Sequence, residues 1–481
     1  MLCSVFKLPN FVVYMTTPKR PNVILLVLDS VRADHVSCYG YKRLTTPTID
    51  KIAQEGILFS QVITAAPWTL PSHASLFTGL FPTEHGVSQE NTYLSETIPT
   101  LAQLLNQAGY RTVGFSNNPW VDKSTGLDRG FKEFFGWRNF RPTTKTNFLE
   151  KISRKLQLYK GSMAENTIKQ MLSWIKTYSD PKSAPFFLFA NFMETHIPYS
   201  VPRQFLRKFS ATEFNWRTIN QDEAKYITGT TRMSTEDLEK LALMYDSALA
   251  YLDSEIGRFL TSLDKLGILE NTLLIITSDH GENLGEHGLI SHVLCLYDTL
   301  LRVPLVMRHP SLILPGTIVN NQIQLHYLFS TILQVAQSMV AKDEYQGSIN
   351  LLNQTDKGQV NQGYTFAEYN HPVLTANRFR KFNPDFDNPQ LITALKCVRS
   401  SQYKYIWSER GQDEFYELEG DPEETHNLIQ DSKASLEIDK MKCVLTMWEG
   451  TLVKTYQQPM IADLELDDAA LTQRLKDLGY F

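Results

Sequence analysis

The stretch Asn22-Val23-Ile24-Leu25-Leu26-Val27-Leu28-Asp29-Ser30 decides the fold. Its unbroken apolar run, Val23 to Leu28, lacks the alternation of a half-exposed strand and is too short for a membrane span. Such a run reads as a strand buried on both faces, the kind found in parallel sheets. Similar runs recur at Phe186 to Ala190, Leu273 to Ile276 and Val303 to Met307, and Tyr110 to Phe115 reads as a further strand. Helices lie between them. Thr46-Pro47 opens one that ends near Gly56, and Ile98 to Ala108 forms another that stops at Gly109. From Glu236 to Leu263 the apolar residues Leu238, Leu241, Tyr245, Ala248, Leu252, Ile256, Phe259 and Leu263 step by three or four, one stripe of a surface helix. This alternation predicts an α/β fold with a largely parallel, mixed sheet flanked by helices.

The character changes near Asn383-Pro384-Asp385. Beyond it, Ile392 to Arg399, Tyr403 to Trp407 and Glu414 to Leu418 read as short strands, and Ala434 to Lys454 as a helix. The expected organisation is a disordered tail at 1–15, a main domain at 16–385 and a small C-terminal α+β domain at 386–481. The more polar stretches 141–180 and 201–235 read as insertions over one face. Composition narrows the class. With 47 Lys+Arg against 52 Asp+Glu, the chain lacks the basic excess of a nucleic-acid binder. No apolar run approaches the ~18 residues that suggest a membrane span. Lys7, Pro9 and Asn10 break up the N-terminus, so no signal peptide is expected. The 5 cysteines are scattered without a pairing pattern, which fits reduced thiols and a cytoplasmic location.

Chemistry collects where strands end. In open α/β sheets ligands bind beyond the carboxyl ends of strands. Asp29, Glu194, His196, Asp279 and His280 all stand there, on three expected strands. One such residue is as readily a turn or cap, but a convergent set suits a divalent cation held by oxygen and nitrogen donors. A second block runs from Ala66 to Gly79, with Pro71 placed for a first helical turn and Gly79 for its end. Thr69 then lies at or just before a helix N-terminus. It is either a helix cap or a hydroxyl placed to attack an anionic ester where free N–H groups favour negative charge.

Five blocks together resemble the sulfatases of the alkaline phosphatase superfamily, over nearly the full chain. They are Pro21 to Asp34 (PNVILLVLDSVRAD), Trp68 to Gly79 (WTLPSHASLFTG), Glu194 to Tyr199 (ETHIPY), Ser278 to Pro304 (SDHGENLGEHGLISHVLCLYDTLLRVP) and Tyr403 to Leu428 with its FYEL and DPEE. The closing Leu478-Gly479-Tyr480 is also typical of the family. The resemblance implies a metal-dependent hydrolase in which Asp29, Asp279, His280 and Thr69 hold one divalent cation, calcium, manganese or zinc. It implies Thr69, His196 and His292 as catalytic residues. His196 and His292, with His73 and the weaker candidate Asn91, would hold the substrate's oxyanion. His85 and His287 are expected in the core or on the surface.

The nucleophile block departs from the family. Hydrolytic sulfatases carry Cys or Ser in a C/S-x-P-S/A-R motif, oxidised to formylglycine, whereas this chain has Thr69-Leu70-Pro71-Ser72-His73. Threonine carries a methyl group on its β-carbon, so no formylglycine is expected. Ser30 also replaces a second aspartate, and His292 stands where a lysine is common. A threonine ester must be resolved by attack at phosphorus or sulfur itself, which modestly favours phosphate over sulfate esters as small anionic substrates. The alternatives are a phosphoryl transferase, a true sulfuric ester hydrolase, or a non-catalytic scaffold.

Overall fold

In the computed structural model the described residues are 20–140, 163–178, 184–210, 214–337, 349–353, 363–386, 388 and 391–456. The expected tail at 1–15, most of the stretch 141–180 and the closing Leu478-Gly479-Tyr480 lie outside them. The sheet-forming runs sit close to where the sequence places them: β1 Asn22–Leu28, β3 Arg111–Ser116, β5 Phe186–Phe192, β6 Thr272–Thr277 and β9 Arg302–Arg308. Strands β2 Ile57–Ile63, β4 Glu133–Phe135, β10 Thr317–Val319 and β11 Ile323–Gln324 complete a 9-stranded sheet. Its order is β10-β2-β9-β6-β1-β5-β3-β4, with β11 also on β2. The centre is parallel, and β9 runs antiparallel to both β6 and β2, so the sheet is mixed as expected.

Alternate residues of β1 enter different cores. Val23, Leu25 and Val27 pack on one face, and Ile24, Leu26 and Leu28 on the other. That two-sided burial is why the run shows no alternation. The long helix Thr235–Lys265 covers the second face, its Ser234 Oγ accepting from the Asp237 N–H while Asp237 accepts in return from the Ser234 N–H. The described part of the stretch 201–235 folds as Arg203–Phe209, Trp216–Thr218 and Glu223–Ile227. It packs on that helix through Ile219, Leu241 and Tyr245.

A second, antiparallel sheet has the order β12-β13-β14-β15, formed by Thr365–Tyr369, Leu395–Arg399, Tyr403–Ser408 and Glu414–Glu417. The helix Ser435–Glu449 lies against it. Its first strand, β12, comes from before residue 385, so the antiparallel sheet draws on chain from both sides of the expected boundary. Among the described residues, no helix is long and apolar enough to cross a membrane.

Candidate active site

Asp29 follows β1 and Asp279 follows β6, neighbouring parallel strands whose last pair is Val27 with Thr277. The sheet itself therefore sets the two carboxylates side by side. Directly after Asp29 the chain turns sharply, with Ser30 at φ 63 in the left-handed region. This turn is fastened from several sides. The Asp29 N–H donates to Phe192 O at 2.8 Å, Ser278 Oγ donates to Leu28 O at 2.5 Å, and Tyr245 Oη donates to Ser30 O at 2.8 Å. The Ser30 N–H reaches Asp279 Oδ1 at 3.3 Å.

Asp29, Asp279 and His280 are fully buried, and one potential ligand atom from each lies within 4.8 Å of the others. Burial acts to raise the Asp29 pKa, but the His196 and His280 rings and the Asn118 amide outweigh it and hold that carboxyl below its ordinary range. Asp279 goes the other way. Burial and the neighbouring Asp29 charge push it up to about 8. Asp279 Oδ2 has no hydrogen-bond donor, although His73 and His280 each approach it to 3.4 Å. Two buried carboxylates, one with an unsatisfied oxygen, beside an imidazole nitrogen form a donor set that fits a divalent cation.

Thr69 is the first residue of the helix Thr69–Thr78, with Trp68 at the cap position. Its hydroxyl does not cap the helix. Thr69 Oγ1 lies 3.2 Å from His280 Nε2 and accepts from Asn118 Nδ2 at 3.2 Å. Asn118 Nδ2 also donates to Asp29 Oδ2 at 2.7 Å, while its Oδ1 accepts from the Trp120 N–H at 2.9 Å. With Oδ1 so occupied, the amide presents its NH2 to the carboxylate and the hydroxyl. His73 sits one turn along, its Nδ1 2.9 Å from Thr69 O, so it backs the cluster from the helix side.

A second group flanks the first. His292 Nδ1 lies 2.9 Å from Glu282 Oε1, and Glu282 Oε2 accepts from the Ile197 N–H at 3.2 Å. The His292 ring is 4.5 Å from that of His280 and 4.7 Å from that of His196. His196 Nδ1 bonds the Ile197 carbonyl. Burial pushes Glu282 up to about 7, and burial with the two neighbouring imidazoles pulls His292 well below its ordinary value.

The structure thus gathers Asp29, Thr69, His73, His196, Asp279, His280 and His292. Two expectations differ. Glu194 turns away, its Oε1 accepting from the Ala164 N–H at 2.7 Å at the start of the helix Met163–Tyr178. Asn91 Nδ2 donates to Gly86 O at 2.9 Å, and among the described residues no hydrogen bond joins it to Thr69 or the ligand set. His85 is buried, as expected of a core residue, 3.1 Å from Ser75 Oγ. Sequence reading missed Asn118, Glu282 and Asn191, whose Nδ2 donates to Asp29 Oδ2 at 3.2 Å. The polar Ser116-Asn117-Asn118 that ends β3 was the available signal for the first.

A family model described as Sulfatase matches residues 21–338, and one described as N-sulphoglucosamine sulphohydrolase, C-terminal, matches 285–449. The chain is 26% identical over 445 residues to an uncharacterised sulfatase of Escherichia coli, covering 86% of this chain and 84% of that one. It is 27% identical to the N-acetylgalactosamine-6-sulfatase of Rattus norvegicus, covering 71% of this chain and 67% of that one. In fold it resembles the phosphonate monoester hydrolase of Agrobacterium radiobacter, with a TM-score of 0.70 at 20% identity over 90% of this chain and 96% of that one. A match across the whole central sheet and the buried Asp-Asp-His cluster lead to one conclusion: the chain belongs to the sulfatase family and is a hydrolase of ester bonds.

Proposed function

We propose that the protein hydrolyses small phosphate esters, with sulfate esters as the poorer substrates, and that Thr69 is the nucleophile. The observation that carries this reading is the placement of Thr69 Oγ1 at 3.2 Å from both His280 Nε2 and Asn118 Nδ2, beside two buried carboxylates. Asp29, Asp279, His280 and Thr69 would hold one divalent cation. When bound, that ion supplies Lewis acidity toward the ester and lowers the pKa of the hydroxyl.

The chain's own groups do the rest. Asn118 donates to the threonine oxygen and stabilises it as the hydroxyl proton departs. The bond from Thr69 Oγ1 to phosphorus forms as the bond to the leaving oxygen breaks, and that oxygen takes up the released proton. Water then adds at phosphorus, one of its protons passing to His292, whose Nδ1 is turned to Glu282. The phosphorus–Oγ1 bond breaks, His292 returns the proton to Thr69, and phosphate leaves. His196 and the first-turn N–H groups of the Thr69–Thr78 helix would hold the oxyanion.

The test is turnover of chromogenic phosphodiester, phosphomonoester and sulfate ester by protein stripped and reloaded with calcium, manganese or zinc. Mass spectrometry of the quenched reaction would locate a phosphoryl group on Thr69. Thr69→Ala is expected to abolish turnover and keep metal binding. Wild-type activity in Thr69→Ala, or faster release from the sulfate ester, would overturn the proposal.

A further inference from the structure

Away from the candidate metal ligands, a cavity of about 360 Å3 opens between the C-terminal sheet and the chain that runs from β7 (Asn283–Leu284) through β8 (Ile290–Ser291) to Tyr297. Leu289, Leu294 and Leu296 wall one side, and Leu395 and Ile406 the other. Its polar end is unlike this lining. Glu414 stands there between two phenols, Oε2 accepting from Tyr297 Oη at 2.9 Å and from Tyr416 Oη at 2.5 Å. A carboxylate has about four lone-pair sites, and among the described residues only the two phenols donate to this half-buried one. Lys404 pairs with Asp298 and Glu424, and Lys442 reaches Asp413 at 3.8 Å. Among the described residues, no lysine or arginine neutralises Glu414. The His287 ring stacks on Tyr297 with centroids 3.7 Å apart, and burial lowers its pKa.

The backbone is also unusual here. Two cavity residues, His287 at φ 54 and Leu294 at φ 71, are held in the left-handed region without being glycine. Strain of this kind persists where the surroundings impose it and collects at ligand sites. Aromatic rings beside a carboxylate that has no cationic partner among the described residues, in a cavity of ligand size lined by leucines on its walls and by Gln412, Asp413 and Asn427 at its polar end, are a setting that recognises an ammonium group on an apolar body.

We propose that this cavity binds a small organic cation, a primary or quaternary ammonium whose charge meets Glu414 and whose carbon body fills the leucine-lined space. The site goes beyond the ester hydrolysis above and does not depend on it. The segment that walls it carries His292, so occupancy would bear on the position of that ring.

The test is calorimetric titration of the full chain with choline and with its uncharged isostere, 3,3-dimethylbutan-1-ol. Choline is expected to bind saturably at one site, and the isostere about tenfold more weakly or worse. Glu414→Gln keeps an acceptor for both phenols and should weaken choline by about tenfold while its circular dichroism matches wild type. Thr69→Ala protein should bind choline as wild type does, which separates the cavity from the ester site. Failure to saturate, equal binding of the isostere, or indifference to Glu414→Gln would each overturn the proposal.

Discussion

Loading the site with a cation should expel a proton, and the structure sets the size of the effect. Asp279 is pushed up to about 8 by burial and by Asp29. In metal-free protein at about pH 6 it therefore carries its proton in nearly every molecule, and at about pH 8 in about half. A ligating carboxylate must be ionised. Apparent affinity for manganese should then fall about fiftyfold between about pH 8 and about pH 6, equivalent to ~2.3 kcal/mol. Calorimetry in two buffers of different ionisation heat measures this directly, and near the lower pH about one proton should be released per ion bound. A second readout follows from linkage. The folded pKa of Asp279 lies above its unfolded value of 3.8, so the stability it contributes is complete below about 4 and is lost as pH rises through about 8. Metal-free protein should melt lower at about pH 8 than at about pH 6, and metal loading should remove the share of that difference due to Asp279 while leaving the share of Glu282, which is also raised, to about 7. Asp29 is shifted downward, so its contribution is lost only below 3.8, outside this window. Flat affinity with no proton release would show that Asp279 is already ionised, and the reasoning would fail.

Asn118→Ala removes the donor shared by Asp29 and Thr69 and should lower kcat by roughly 10- to 100-fold, the worth of a hydrogen bond to a charged group. Unchanged kcat would remove Asn118 from the mechanism. Glu282→Leu frees His292 to rotate and should cost about tenfold in kcat with little change in KM, while Glu282→Gln, which can still accept from Nδ1, should recover most of it. Equal losses in the two variants would point to charge rather than orientation. Lys404→Met strands Glu424 and weakens the hold on Asp298, both removed from solvent, and should destabilise the protein by about 3 kcal/mol in urea unfolding. A change below about 1 kcal/mol would mean that the two acids adapt without it.

The central strands were legible because strands buried on both faces leave an unmistakable apolar run, as in Val23 to Leu28. Strand β2 was not read, because Ser60 and Gln61 interrupt Ile57–Ile63 where the pairing with β9 shifts register. That Asp29, Asp279 and His280 come together was legible for a related reason, since polar residues directly after such runs fall at one sheet edge. Asn118 and Asn191 carry no charge; the polar run after β3 hints at Asn118, while Asn191 lies inside β5 with nothing to mark it. Only the chain's path brings both amides to Asp29 Oδ2. Glu194 shows the converse. Its position after β5 is right, yet its side chain serves a helix start instead. A strand end specifies where a residue sits, and local packing decides which way it points.

Asp298 joins two parts of the chain that are made at different times. It holds Arg399 at 2.8 Å and Lys404 at 2.9 Å, and its N–H donates to Glu424. The short helix it begins, Asp298–Leu301, carries Leu300 O, which accepts from the Gly281 N–H, and Thr299, whose hydroxyl donates to Asn283. Those two residues flank the Glu282 carboxylate that orients His292. During synthesis, Gly281 to Leu301 leaves the ribosome about 100 residues before its anchors do, which at 5–20 residues per second is a delay of roughly 5–20 seconds. The central sheet can close in that interval, but the segment bearing His280 and His292 acquires its final setting only when the last strands arrive. Catalytic competence is therefore expected late in the synthesis of each chain, and a chain ended before Arg399 is expected to lack the anchors of this segment.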